Sequence, residues 1–461
     1  MKARLLGLAL AALAALAAPA AAEEAAPPGR LEGRPPAAET SPLQARVDAA
    51  PAGSTVEVPP GVYDGDLVLE KPLHLRGPHG GRALLRGSGS GSVVRVRAAG
   101  VVLESLAIDG RGGGDLGRDT SGVHVAAPGA VLRALDVSGS LFGVYLREAH
   151  GAVVEGCRIR GIPGKEPGEK GSGIHVWNTR GFRLEDNDIA DVRDGFYIQS
   201  STRGTIRGNS ARDLRYGLHY MFSDDNLFED NLFENGAAGT ALMYSRRIVF
   251  RRNRFLRNRG FASVGLLLKA CEDVLAEDNL IADNARGIFL EGSYRNVFRR
   301  NVVAGSDSAV VLYDSCADNR FEGNSFVANL SPLVLVGRRT DTVFSGNFWS
   351  ENREPDLDGD GTSERAYRLE SVFDHLRGNL TAADLMARGL AAAALAAAER
   401  AFPVLDPIAV VDPAPLARAP ELPAASLAAG ARGELEPRGL AAALAVLIAG
   451  AAVLWRGSQA P

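Results

Sequence analysis

From Val56 to Trp349 the apolar residues come in short runs that alternate with polar ones, broken every few positions by Gly, Asn or Asp. Alternation with period two marks half-buried strands, and no 3.6-residue period runs through these units. The runs also recur. An Asn followed two residues later by an apolar residue stands at Asn187, Asn209, Asn231, Asn253, Asn279, Asn301, Asn324 and Asn347, with spacings of 22, 22, 22, 26, 22, 23 and 23. Fourteen residues before most of them a Gly opens a short apolar run: Gly173, Gly195, Gly217, Gly239, Gly265 and Gly287. Gly143 stands in the same relation to Cys157, and Gly122 opens an earlier copy.

A repeat of this kind predicts an all-β chain folded as a right-handed parallel β-helix, with coils of about 22 residues. Each unit cannot bury its apolar face alone, so stacking the units makes the core. Asn suits the corners because it tolerates left-handed backbone and bonds locally, and stacked Asn side chains form an amide ladder. The solenoid is placed at 43–350, with insertions at 109–120 and 161–172, the latter an exposed loop.

Alternation then assigns faces. The residue after each Gly points inward: Val123, Val144, Ile174, Phe196, Leu218, Thr240, Leu266 and Ile288. The next one points outward: His124, Tyr145, His175, Tyr197, His219, Ala241, Leu267 and Phe289. Two further on, Trp177, Gln199, Met221, Met243, Lys269 and Glu291 also face outward. Cys157 takes the Asn column as a small buried substitute. Cys271 and Cys316 fall in a column otherwise holding Thr179, Ser201, Ser223, Ser245 and Ser293. They are two coils apart, roughly 9.6 Å at the strand spacing, beyond the reach of a disulfide. Three unpaired thiols are expected.

Composition narrows the classes. Glycine is plentiful, 53 of 461 residues, but without the three-residue period of collagen. The balance of 51 basic against 55 acidic residues gives no support for nucleic-acid binding. Outside the solenoid, residues 1–22 read as a signal peptide, with Lys2 and Arg4 before an apolar stretch and Ala20-Ala21-Ala22 before Glu23; an uncleaved anchor is the competing reading. Residues 23–42 read as a disordered leader. Beyond the coils come an Asp-rich loop and cap at 351–380, a helix at 381–402 and a Pro/Ala-rich linker at 403–438. Residues 439–456 form an apolar tail at the lower edge of spanning length, either a membrane tether or a helix packed on protein.

Two constellations carry candidate chemistry. His175, Trp177, Tyr197, His219, Met221 and Met243 share the outward face. An imidazole with two thioethers on neighbouring coils is a soft set suited to Cu(I), while an aromatic and thioether stripe equally fits a partner or sugar contact. After the last coil, Asp356-Leu-Asp-Gly-Asp-Gly reproduces the start of a Ca²⁺ loop, with Asp356, Asp358 and Asp360 as ligands; the twelfth position is Tyr367 instead of the usual Glu. A metal-free Asp/Gly turn is the alternative. An Arg-rich ridge from Arg246 to Arg259 suggests an acidic partner surface or a solvated face. The Asp224-Asp225 pair is the one carboxylate candidate for a polysaccharide-acting β-helix, and it also fits plain turn chemistry.

The string Gly217-Leu-His-Tyr-Met-Phe-Ser-Asp-Asp-Asn, the closing Gly346-Asn-Phe-Trp-Ser and the Val58-Pro-Pro-Gly-Val-Tyr segment resemble the NosD family, periplasmic maturation proteins of nitrous oxide reductase. The resemblance covers roughly residues 43–410. It implies a non-catalytic accessory protein that works with a membrane ABC transporter and a copper chaperone to assemble the copper centres of the reductase. It also raises His219, Met221 and Met243 as a transient Cu(I) site. The alternative left by the residues is a polysaccharide-acting or glycan-binding β-helix of the cell envelope.

Overall fold

The computed structural model describes residues 41–260, 263–369, 371–380 and 410–420, with a few isolated positions between 383 and 399. The expected signal peptide, nearly all of the leader, most of the 381–402 helix, the remainder of the linker and the apolar tail lie outside the described residues. Among the described residues no helix is long and apolar enough to cross a membrane.

The fold is a parallel β-solenoid. Its strands fall into three parallel sheets of thirteen, thirteen and twelve strands, each strand pairing with one three positions on in the chain. The chain divides into two compact units, Met1–Thr205 with Asn209–Tyr220, and Ile206–Gly208 with Met221–Pro461.

In the first unit the third sheet includes Ser121–Val125, Phe142–Arg147, Ser172–Trp177 and Asp194–Gln199. The register follows the sequence repeat: Val144 pairs with Ile174, and Ile174 with Phe196. The Gly column has a steric cause. A Cβ on Gly173 would lie 2.4 Å from Ile189 Cγ2 and 2.8 Å from the Gly195 carbonyl oxygen, so nothing larger fits where the coil turns onto its neighbour. Helix Pro42–Ala49 covers the first coil. The Gln44 side chain donates to the Val68 carbonyl at 2.9 Å and accepts from its N–H at 2.8 Å, standing in for a missing strand neighbour.

In the second unit the Asn column is a ladder. Asn253, Asn279, Asn301 and Asn324 each donate Nδ2 to the side-chain oxygen of the next, at 2.9–3.1 Å. Inside it, Phe298, Phe321 and Phe344 stack at 4.5 and 4.7 Å, pairs worth about 0.5–1.5 kcal/mol beyond burial. The ladder ends on a carboxylate: buried Asp412 accepts from the N–H groups of Gly346 and Asn347, from Asn347 Nδ2 and from Trp349 Nε1, at 2.9–3.1 Å. Asp412 belongs to a stretch read from sequence as linker. Here Val411–Asp412 pairs antiparallel with Tyr367–Arg368, and the Leu416 N–H donates to the Asn347 carbonyl.

The thiols fall as expected. All three cysteines are free and buried. The Cys157 N–H donates to Asn187 Oδ1, as an Asn in that column would, and the Cys271 N–H donates to Ser293 Oγ.

Candidate functional site

The outward column of the first unit is a run of alternating His and Tyr rings, stacked about His175 and meeting edge-on at His219. Centroids lie 5.1 Å apart for His124–Tyr145, 4.3 Å for Tyr145–His175, 4.4 Å for His175–Tyr197 and 4.7 Å for Tyr197–His219. The coil rise sets this spacing, because equivalent side chains on paired strands stand one strand apart. Alternation predicted an exposed column, and here the structure differs. His124, Tyr145, Tyr197 and His219 are all under one-tenth exposed. Part of the cover comes from the two insertions: Ile162 and Leu116 pack with Leu141, Phe142, Tyr145 and Trp177. Trp177 stays partly open, with the Arg147 guanidinium 5.2 Å from its ring centre.

Burial sets the charge of this column. His175 is held far below its ordinary value, at about 3, by burial and then by nearby Arg193, so its ring is neutral at physiological pH. Its Nδ1 is sealed from solvent and meets no hydrogen-bond partner. The fully buried Asp194 sits beside it in the fold. Burial alone would raise its pKa, but the neighbouring His219 ring and the Arg215 fork lower it to about 2. Arg215 donates Nε and Nη2 to the two carboxylate oxygens at 2.9 and 2.8 Å, and His219 Nδ1 lies 3.5 Å from Oδ2. The His219 ring thus stands beside the carboxylate without a geometric hydrogen bond to it. Asp194 was missed in the sequence reading, although it immediately precedes Gly195 where other coils carry Ser172 or Ala238.

Met221 and Met243 belong to the second unit, on successive rungs. The Phe222 N–H donates to the Met243 carbonyl at 3.3 Å. Met221 is buried and Met243 partly so. The residue after each methionine turns a left-handed corner, with φ of +50° at Phe222 and +52° at Tyr244. The same corner holds Glu148, Asn178, Ser200, Ala270 and Gly292 elsewhere. Left-handed backbone costs an L residue roughly 1–2 kcal/mol, more awkwardly for a bulky ring. The two rings stack 5.1 Å apart, and Phe222 is half exposed.

The Asp-rich loop gathers a different trio from the one expected. Asp356, Asp358 and Glu364 offer oxygens within 4.8 Å of one another. Asp360 instead accepts from the Thr362 N–H and hydroxyl at 2.8 and 2.7 Å, which lower its pKa. Glu364 is the ninth residue counted from Asp356, a liganding position in such loops, so this count was available from sequence. Tyr367 turns away and stacks on Trp349 at 5.3 Å. The donors are hard oxygens, and each already accepts backbone N–H bonds within the loop.

Asp224 and Asp225 are not free carboxylates. Arg247 donates to both oxygens of Asp225 at 2.6 and 3.1 Å and to Asp224 at 3.3 Å. The Arg ridge repeats this bond: Arg252 with Asp230, Arg295 with Asp273 and Arg300 with Asp278, in each case 22 residues apart. Buried Glu277 takes Arg251, Arg299 and Arg300. The ridge expected to face an acidic partner thus largely neutralises its own corners.

A family model described as "Periplasmic copper-binding protein (NosD)" matches residues 153–355. A Pseudomonas aeruginosa protein named "Probable ABC transporter binding protein NosD" is 31% identical over 378 residues, covering 78% of this chain and 87% of that protein. A Stutzerimonas stutzeri protein of the same name is 29% identical over 85% of this chain and 92% of its own length. Among solved structures, the Azotobacter vinelandii mannuronan C-5 epimerase AlgE6 A-module is similar, with a TM-score of 0.56 and 18% identity over 66% of this chain and 94% of that one. The AlgE4 A-module gives 0.55 and 17%, over 65% and 94%. At such identities these epimerases show the fold alone.

Proposed function

The chain belongs to the NosD family, and on that premise we propose that it is a periplasmic copper-binding accessory protein. In this reading it serves a membrane ABC transporter and a copper chaperone, and its cargo goes to the copper centres of nitrous oxide reductase. Copper is substrate here, not a resident cofactor.

The observation that carries the reading is the donor chemistry of the outward positions. His175 keeps a neutral ring with an unbonded Nδ1, and Met221 and Met243 add thioethers on adjacent rungs of the second unit. Neutral imidazole and thioether are donors that suit Cu(I). Trp177, which stays partly open, serves as partner contact, while Tyr197 and His219 stand buried in the ring column, His219 beside Asp194. The polysaccharide-acting alternative has less support, because its carboxylate pair is bonded to Arg247 as a corner pair that recurs along the ridge.

The test is made in a host that expresses the reductase. Deleting this gene is expected to yield copper-poor, inactive reductase, restored by the full chain, and the transporter is expected to co-purify with it from membranes. A fully copper-loaded reductase in the deletion strain would overturn the reading.

A further inference from the structure

We propose that a side-chain-free corner of the first unit, ending in the exposed arginines Arg180, Arg183 and Arg203, docks an acidic segment of a partner protein. This surface uses none of the copper donors and does not depend on the copper reading.

A left-handed corner follows each strand of the third sheet. In the second unit it carries charge: Asp225, Arg247, Asp273 and Arg295 stand there with φ between +54° and +61°. Arg247 bonds Asp225, and Arg295 bonds Asp273. In the first unit the same corner is Gly100, Gly129, Gly151 and Gly181. Their N–H groups donate to the carbonyls of Pro128, His150, Arg180 and Thr202 at 2.8–3.0 Å, so the four corners stack. The backbone does not demand glycine here, because Asp and Arg hold nearly the same φ in the second unit. Crowding does not demand it either, since a Cβ on Gly100, Gly151 or Gly181 would meet nothing within 4 Å. The glycines leave a groove open over three strand spacings, about 14 Å, which an extended chain crosses in about four residues. Val102, Val131 and Val153 form one edge of it, register partners that lead to Arg183 on the next rung.

The cations gather where the glycines end. The bridge between Arg180 and Thr202 sets Gly181 and Arg203 on successive rungs, so Arg203 is the first side chain to occupy the corner. Arg180 and Arg183 flank Gly181 in the chain. All three are exposed, and among the described residues none of their side chains has an ion pair or a hydrogen bond. Glu185 shares the strand of Arg183 without pairing to it. Continued one step below Arg203, the alternation of the second unit would place an aspartate where Gly181 stands. That counter-charge is missing, and a carboxylate brought by another molecule supplies it, since an Arg fork takes a carboxylate through two parallel bonds. The aliphatic edge suits a polypeptide better than a sugar. A sugar stacks on an open ring face, and on this coil the Trp177 face is taken by Arg147 at 5.2 Å.

The test titrates the full chain into a fluorescein-labelled hexaglutamate peptide and follows anisotropy at low and at physiological salt. Binding is expected, weaker at the higher salt because exposed charges are screened. Exposed ion pairs are individually weak, so Arg180→Ser, Arg183→Ser and Arg203→Ser together are expected to weaken binding about tenfold or more. Gly181→Asp takes a φ that Asp273 already holds and supplies the missing charge from within, so it should also weaken binding with the thermal melt unmoved. As a control, Arg247→Ser, Arg252→Ser and Arg300→Ser together remove the same charge from paired corners and should leave binding unchanged. No binding by the wild-type chain, undiminished binding by the first triple variant, or an equal loss in the control would overturn the docking surface. So would tighter binding of a polygalacturonate oligomer, which would make the ligand a glycan. Displacement of the peptide by equimolar inorganic phosphate would reduce the site to a free-anion seat and overturn it too. None of these outcomes touches the copper reading, which the deletion strain tests separately.

Discussion

The two units present the same sheet with opposite outward chemistry. In the first, the column after the inward residue is His and Tyr, stacked about His175, with Asp194 beside His219. In the second, the equivalent positions are Ala241, Leu267, Phe289, Val311 and Val334, and helix Val372–Asn379 packs on the strand Leu333–Val336. Beneath that helix, Arg377 Nη1 donates to Ser331 Oγ at 2.6 Å and Nη2 to Ser308 Oγ at 3.2 Å. The backbone is shared, so it decides neither outcome. What differs is the side chain the coil presents and the element that covers it. A solenoid repeats its scaffold, and its chemistry sits in departures from the repeat.

The largest expected effect breaks the second unit at its end. Asp412→Ala strips a buried carboxylate from several donors, including Asn347 and Trp349 Nε1. Hydrogen bonds to charged groups are worth about 1.5–3 kcal/mol each and are not additive, so a loss of about 3 kcal/mol or more is expected in denaturant unfolding. If stability is unchanged, the ladder does not depend on its terminator.

The first unit has its counterpart in Asp194. Removing one partner of a buried pair typically costs about 3–5 kcal/mol, and Asp194→Asn is expected to fall near that range. Its folded pKa, about 2, lies below the ordinary 3.8. The stabilisation is therefore complete above pH 3.8 and is lost as pH falls towards 2. The variant should flatten that part of the stability–pH curve, and an unaltered curve would remove Asp194 as the titrating group.

His175 sharpens the contrast at milder pH. Its folded value of about 3 lies below the ordinary 6.5, so the unfolded chain takes up a proton first. Stability is full above pH 6.5 and falls as pH drops towards 3, by up to about 1.4 kcal/mol per pH unit. His175→Phe keeps a ring in the stack and should remove this slope. Chemical denaturation at pH 7, 6 and 5 reads it directly, and a slope equal to wild type would show that the ring is not the titrating group.

The smallest effects belong to what both units share. The Arg247–Asp225 pair is solvent-exposed, so Arg247→Ala should leave the thermal melt almost unmoved. Thiol titration should find no fast-reacting cysteine in the native chain and three after denaturation without reductant.

Much of this was readable in the chain. The interval between Asn187 and Asn209 and its successors specified the coil, and the Gly column specified where backbones come closest, because both are local demands repeated every turn. The inward residues and the three free thiols follow from the same register. The site was legible only in part. Alternation placed His175, Tyr197 and His219 on the outward side, yet burial there depends on the unique insertions that carry Leu116 and Ile162, and no repeat predicts those. Glu364 joins Asp356 and Asp358 at a position the loop count does offer, while Asp360 accepts from the Thr362 N–H and hydroxyl.

By itself, then, the sequence determined the coil, its strands, its inward core and the identity of each column, since these depend on short-range pattern. Tertiary structure decided which outward residues lose water, which arginine neutralises which aspartate one coil away, and how Asp412 closes the Asn ladder some 65 residues from Asn347. Those outcomes depend on contacts between segments far apart in the chain, where burial and charge pairing are settled by the neighbours that happen to arrive.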